Sequence, residues 1–302
     1  MSPRPTAAHL LALALGLALG AARPAAAQPD WLPPEVRERR ARQAAARALD
    51  PCADPLLRPM APALRDTGFD RTASPCLTSE IAVSARGAAL VDLPDVHDTL
   101  AGSLFVDLRL HPLPRLELTV GGRALDVRHA QNAGVDETEV AFGPAYLAAA
   151  AELDRRTLAG RPLHLAWAMR LDLPYTDSGH EVPVAAASPQ VVAAWAVSPS
   201  LVGHARVAAL LWLARPPDDV HTRRAAALST DWAWAPAGAL AIGLGAEAQT
   251  GWYGLGLDHL LVRGGLRVPL GCRARLDLTG AARLLGEDRT DALVQLGFAR
   301  DL

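Results

Sequence analysis

Two short stretches bring acids and histidines close together: "TDSGH", with Asp177 and His180, and "DDVH", with Asp218, Asp219 and His221. Groups of these types act as general acid and base when they converge on a substrate. Little around them adds to that chemistry. No G-x-S-x-G is present, and Asn132 is the only asparagine. All 30 basic residues are arginine. The absence of lysine excludes a Schiff-base lysine, a phosphate-loop lysine and a Ser–Lys dyad. "GLGAEA" (243–248) has the outline of a dinucleotide fingerprint. The residues after it do not read as a helix, so its glycines read as packing within a strand. The nine histidines show no metal-ligand spacing, so neither a metal nor a cofactor is expected. A formal charge of −2 implies no nucleic-acid partner. The dense chemistry lies elsewhere, in arginines and acids that recur at every second position.

That period is clearest in "LFVDLRLHPLPRLELTVGG" (104–122), where Leu or Val alternates with Asp107, Arg109 and His111, then with Arg115, Glu117 and Thr119. Strict alternation is a strand signal. Similar segments fill the chain from residue 80: 80–92, 101–111, 115–126, 136–150, 161–173, 187–197, 201–214, 225–235, 239–250, 257–269, 272–284 and 291–301. Soluble strands usually run about five or six residues, whereas a tilted membrane strand needs about nine to eleven. Most of these segments reach or exceed the membrane length. "PLP" (112–114), "SPS" (198–200), "APAG" (235–238) and "PLG" (269–271) read as tight turns. The links between them, "NAGVDE" (132–137), "YTDSGHEVPVAA" (175–186), "RPPDDVHTRR" (215–224) and "GEDRT" (286–290), are mostly longer and polar. Short turns on one side and longer loops on the other are the pattern of outer-membrane barrels. The expected fold is therefore all-β: an antiparallel transmembrane β-barrel of about twelve strands over 80–302.

Two segments precede the barrel. Residues 1–27 combine Arg4, the apolar "LLALALGLALGAA" (10–22) and small residues before Gln28, which is the pattern of a secretory signal peptide. Its removal takes Arg4 and Arg23 and moves the formal charge from −2 to −4. Residues 28–79 read as a helical and irregular periplasmic extension. "PPEVRERRARQAAARALDP" (33–51) is an arginine-rich helix with few large apolar positions, and the chain from Pro51 to Pro75 is punctuated by proline. Export permits disulfides. Cys52 and Cys76 share the irregular segment, while Cys272 falls on a lipid-facing parity. A Cys52–Cys76 bond would close a loop of about 25 residues, worth roughly 3 kcal/mol.

The faces assign themselves by composition. In 161–173, Leu163, Leu165, Trp167, Met169 and Leu171 share one side, with His164, Arg170 and Asp172 on the other. Leu104, Val106, Leu108 and Leu110 are expected to face lipid. Asp107, Arg109, Arg115, Glu117, Arg170, Arg206, Arg263, Arg267, Arg273, Arg275 and Arg283 are expected to line the lumen. Arg263, Arg267, Arg273, Arg275 and Arg283 sit on late strands and read as a positive strip. Asp107, Glu117, Glu137, Glu139 and Asp172 read as an opposing negative wall. "ALVQLGFARDL" (292–302) is an amphipathic terminal strand of the kind the barrel-assembly machinery engages.

"VDLRLHPLPRLELTVGG" (106–122) and "AMRLDLPYTDSG" (168–179) carry a resemblance. From about residue 80 to 302 the chain resembles the outer-membrane barrels named for the meta-pathway of phenol degradation, a family of small-molecule channels. The stretch 106–122 resembles that family's arginine strand, tight turn and R-h-E-L strand. The stretch 168–179 is similar to its strand entering an L-P-T-G loop, here interrupted by Tyr175 and by Asp177–Ser178. The resemblance implies an outer-membrane channel for small solutes, without catalysis. Its partners would be outer-membrane lipids, the assembly machinery and the solutes. One alternative is a structural or surface-binding barrel with a filled lumen. Another is an omptin-like protease using the acid–histidine pairs at the rim.

Overall fold

The computed structural model describes residues 49–60, 74–90, 98–132, 135–142, 145–158, 161–173, 175–177, 180–182, 186–213, 224–236, 240–250, 257–285 and 292–302, together with 35, 36 and 38. Residues 1–27, expected to be a signal peptide, and most of the arginine-rich stretch 33–51, expected to be helical, lie outside the described residues.

The strands are β1 (Glu80–Leu90), β2 (Asp98–Leu113), β3 (Leu116–Asn132), β4 (Val135–Ala141), β5 (Ala145–Leu158), β6 (Arg161–Asp172), β7 (Tyr175–Asp177), β8 (His180–Val182), β9 (Ala186–Ser198), β10 (Leu201–Trp212), β11 (Arg224–Trp234), β12 (Ala241–Thr250), β13 (Leu257–Pro269), β14 (Ala274–Leu285) and β15 (Ala292–Asp301). Each pairs antiparallel with its neighbours, and β1 pairs with both β2 and β15, so the sheet closes. β4 and β5 run in one register against β3, with Asp126 opposite Ala141 and Gly122 opposite Ala145. They form a single stave of the barrel. β7 and β8 make a separate hairpin within the β6–β9 connection. The result is a closed twelve-stranded antiparallel barrel, with the strands close to where the alternation places them, except that the stave expected over 136–150 runs on to Leu158.

β2, β5, β9, β11 and β13 end, and β3, β6, β10, β12 and β14 begin, at one end of the barrel, called here the turn end. β1 starts and β15 finishes at that end, where the Leu302 N–H donates to Ser79 O at 3.0 Å. At the other end the β3–β4 ladder runs as far as Asn132 opposite Val135, so Asn132 and Val135–Glu137 of the expected loop "NAGVDE" belong to strands. β3, at 17 residues, is the longest strand.

The outer surface is aliphatic. Leu104, Val106, Leu108 and Leu110 are exposed, as are Val294, Leu296 and Phe298 on β15. A continuous apolar band of this kind requires lipid rather than water beside it. Near the turn end Trp195 and Trp232 meet edge to face, with centroids 5.5 Å apart. Both stand opposite Gly203 on the strand between them. A Cβ there would lie 2.5 Å from the Trp195 ring, so only glycine lets the indoles close over β10. Tryptophan at this height matches the aromatic girdle of membrane barrels.

Part of the segment before β1 returns into the lumen at the turn end. A short 3-10 turn, Pro55–Leu57, is capped by Asp54, whose carboxylate accepts from Leu56 N at 2.9 Å. Inward positions of β9–β12 here carry small side chains, among them Ala194, Ala196, Ala233 and Ala241. Leu56, Leu57 and Met60 fill the space those alanines leave. Each such side chain stabilises by roughly 1.5–3 kcal/mol when buried. A Cys52–Cys76 disulfide, with Cα atoms 5.0 Å apart, ties this plug to the approach to β1.

Candidate functional site

The interior of the barrel is built from the polar parity of every strand. Around β10–β13, Arg263 holds Asp231 in a fork, Nε to Oδ1 and Nη2 to Oδ2, both 2.8 Å. Its Nη1 donates to Glu247 at 3.0 Å. The same Glu247 oxygen accepts from Arg206, whose Nε reaches Ser229 at 3.2 Å. Gln249 donates to the other Glu247 oxygen at 2.6 Å. Two arginines and two acids, all buried, thus neutralise each other in one continuous network. Burial of such charges is tolerated only with this degree of pairing.

The fork spans a strand. Asp231 lies on β11 and Arg263 on β13, and Gly245 of β12 stands between them. A Cβ on Gly245 would fall 2.1 Å from Asp231 Oδ1. The opposite wall repeats the device. Tyr146 OH on β5 donates to Asp107 on β2 across Gly121 of β3. Arg170 then stacks 4.0 Å over the Tyr146 ring and donates to Asp172 at 2.8 Å.

A third group surrounds the plug. Arg267 forks Asp277 at 2.7 and 2.8 Å. It also donates to the carbonyls of Pro55, Leu56, Arg58 and Pro59 at 3.0–3.4 Å. One guanidinium therefore anchors the 3-10 turn. His204 Nε2 contacts Leu57 O at 2.8 Å. Glu80 takes a hydrogen bond from Arg275 at 2.8 Å, with Arg109 at 3.5 Å and Arg58 at 3.7 Å. Burial lowers the Arg58 pKa below the ordinary guanidinium value, as does the positive charge of Arg275 and Arg267, against the pull of Glu80 and Asp301. Beside these groups is a cavity of about 110 Å³.

Of the residues expected in the lumen, Asp107, Glu117, Arg170, Arg206, Arg263 and Arg267 are buried, and Arg109, Arg275 and Arg283 are partly so. Arg115 and Arg273 are corrections. Both fall in turns and are exposed, because the alternation continues past the starts of β3 and β14 into the turns. The positive strip is a correction too. Asp231, Glu247 and Asp277 lie among its arginines and pair with them, so the late strands present no bare cationic wall. Sequence reasoning missed Arg58, Glu80, Tyr146 and the two bridging glycines. Glycine amid charged alternation, in "TVGGR" (119–123) and "GLGAE" (243–247), was the available signal.

The rim pairs bring less together. Asp177 and His180 close the β7–β8 hairpin through their backbones, and Asp218, Asp219 and His221 lie outside the described residues. Among the described residues, Asp50, Cys52 and His164 place three metal-type donors within 4.8 Å of one another. The Cys52 sulfur is already committed to its disulfide.

No family model matches the chain, and no curated protein matches it. Solved structures do. The chain is similar to an outer membrane channel from Pseudomonas putida, with a TM-score of 0.56 at 12% identity over 79% of this chain and 100% of that one. It is similar to the NanC porin, with a TM-score of 0.50 at 5% identity over 74% of this chain and 100% of that one. At these identities the likeness is one of fold: the chain is a twelve-stranded β-barrel of the outer-membrane type.

Proposed function

We propose that the protein is an outer-membrane channel for small solutes and acts without catalysis. We assign it to the barrels named for the meta-pathway of phenol degradation. The observation that carries the reading is a closed barrel, apolar outside, whose lumen is lined by arginines and acids and retains a cavity beside its plug. The similar structures are titled a channel and a porin, which supports the same reading. In this view the signal peptide exports the chain across a Gram-negative inner membrane. The assembly machinery then inserts it with the turn end, and the plug, toward the periplasm. Conductance of the refolded protein in a planar bilayer tests it: discrete single-channel steps are expected. A silent bilayer with correctly folded protein would leave the second reading, a structural barrel with a filled lumen, which the self-neutralised Arg206–Glu247–Arg263–Asp231 network favours.

A further inference from the structure

At the plug the guanidinium donors outnumber their acceptors. Arg58 Nε and Nη1 and Arg275 Nε are buried without a hydrogen-bond partner among the described residues. The nearest carboxylates, those of Glu80, Asp277 and Asp301, stand 3.7 Å from these nitrogens, too far for a hydrogen bond. Native proteins leave few such donors unsatisfied, and a charged one is the most costly to leave so. Both side chains line the cavity of about 110 Å³. Arg86, Arg109 and Arg267 line it too, against the acids Glu80, Asp107 and Asp277. The described lining therefore carries five arginines against three acids, with Asp301 just outside it at 3.7 Å from Arg58.

We propose that this cavity is a binding site for a small carboxylate solute, with Arg58 and Arg275 as its principal donors. A carboxylate brings acceptor oxygens to the orphaned nitrogens and offsets the excess charge. Its planar geometry suits guanidinium groups. A cavity of about 150 Å³ admits benzene, so this one, at about 110 Å³, takes one carboxylate end of a short-chain acid while the rest extends into the lumen. The site does not belong to the barrel wall alone. Arg58 is supplied by the plug, which Arg267 and the disulfide hold in place. Glu80 competes with the solute for the same arginines. The site deepens the channel reading and rests on it only for a role in transport.

The test is calorimetric titration of the full-length refolded protein in detergent, with sodium succinate as probe. Sodium phosphate and ethylenediamine serve as comparison ligands. Saturable succinate binding is expected in the parent. Arg58→Gln and Arg275→Gln should each weaken it at least about tenfold, the equivalent of one charge-assisted hydrogen bond. Glu80→Gln should strengthen it. Heat-modifiable gel migration confirms that each variant is folded. If Arg58→Gln does not fold, Arg58→Lys keeps the charge without the Nε donor and should still bind more weakly than the parent. No saturable binding overturns the site, as do affinities unchanged in both arginine variants. Phosphate or ethylenediamine binding as tightly as succinate overturns the assignment to carboxylates. Binding is read without a membrane, so a barrel that binds succinate but passes no current refutes the channel and not the site.

Discussion

Replacing Gly245 by alanine should destabilise the barrel far more than one methyl group usually does. The new Cβ would sit 2.1 Å from Asp231 Oδ1 and 2.8 Å from the Thr230 carbonyl oxygen. The backbone oxygen cannot retreat without disturbing the β11–β12 ladder, so the Asp231 carboxylate must swing away. It then loses both hydrogen bonds of the fork from Arg263. Hydrogen bonds to charged groups contribute about 1.5–3 kcal/mol each. Glycine in a strand interior is itself unfavourable by roughly 0.5–1 kcal/mol relative to alanine, which offsets part of the loss. Arg263 also retains Glu247 at 3.0 Å, so the guanidinium is not left bare. The net cost should be about 2–3 kcal/mol. Urea unfolding in lipid vesicles, followed by tryptophan fluorescence, measures it. The decisive comparison is a double-mutant cycle with Asp231→Ala. In that background Gly245→Ala should cost distinctly less, because only the close approach to the Thr230 carbonyl oxygen remains. An equal cost in both backgrounds would refute the bridging role of Gly245.

Other consequences are testable with the same refolded protein. Val207, exposed in the middle of β10, should not tolerate arginine: Val207→Arg should cost about 2–4 kcal/mol in vesicles, while Val207→Leu should be close to neutral. Arg267→Gln removes the donors that hold the carbonyls of residues 55–59 and should release the plug, read as new trypsin cleavage at the plug arginines and a larger unit conductance. Cys52→Ser should raise the same cleavage and lower plug stability by up to about 3 kcal/mol. Brominated lipids should quench the fluorescence of Trp232 and Trp234, which are exposed on the outer face.

Most of the barrel wall was legible because lipid and lumen impose opposite demands on successive residues. Strand 115–126 and its partner 101–111 announce themselves in that way, and the burial of Asp107 beside exposed Val106 and Leu108 follows the same alternation. Alternation says nothing about where a strand stops, which is why it assigns Arg115 and Arg273 to the lumen. The plug was hidden for a different reason. "DPLLRPM" (54–60) has no period at all. Its three apolar side chains fit a gap that exists only once alanines from separate strands have met. Pairing was hidden as well, since Asp231 and Arg263 are 32 positions apart and only the register of three strands brings them together.

The two glycine bridges also bear on how the chain finds its alignment. A slip of one residue between neighbouring strands turns every side chain to the wrong face, and the contrast between lipid and lumen rejects it. A slip of two keeps all faces correct, so that contrast cannot detect it. The bridges can. Moving β12 by two residues in one direction sets Glu247 between Asp231 and Arg263, where a side chain has no room and its charge repels the aspartate. Moving β3 by two sets Thr119 or Arg123 between Asp107 and Tyr146. The empty position at the centre of the Asp107–Gly121–Tyr146 triad thus marks register against a slip in either direction, and that of the Asp231–Gly245–Arg263 triad against a slip in one, since Gly243 would take its place in the other.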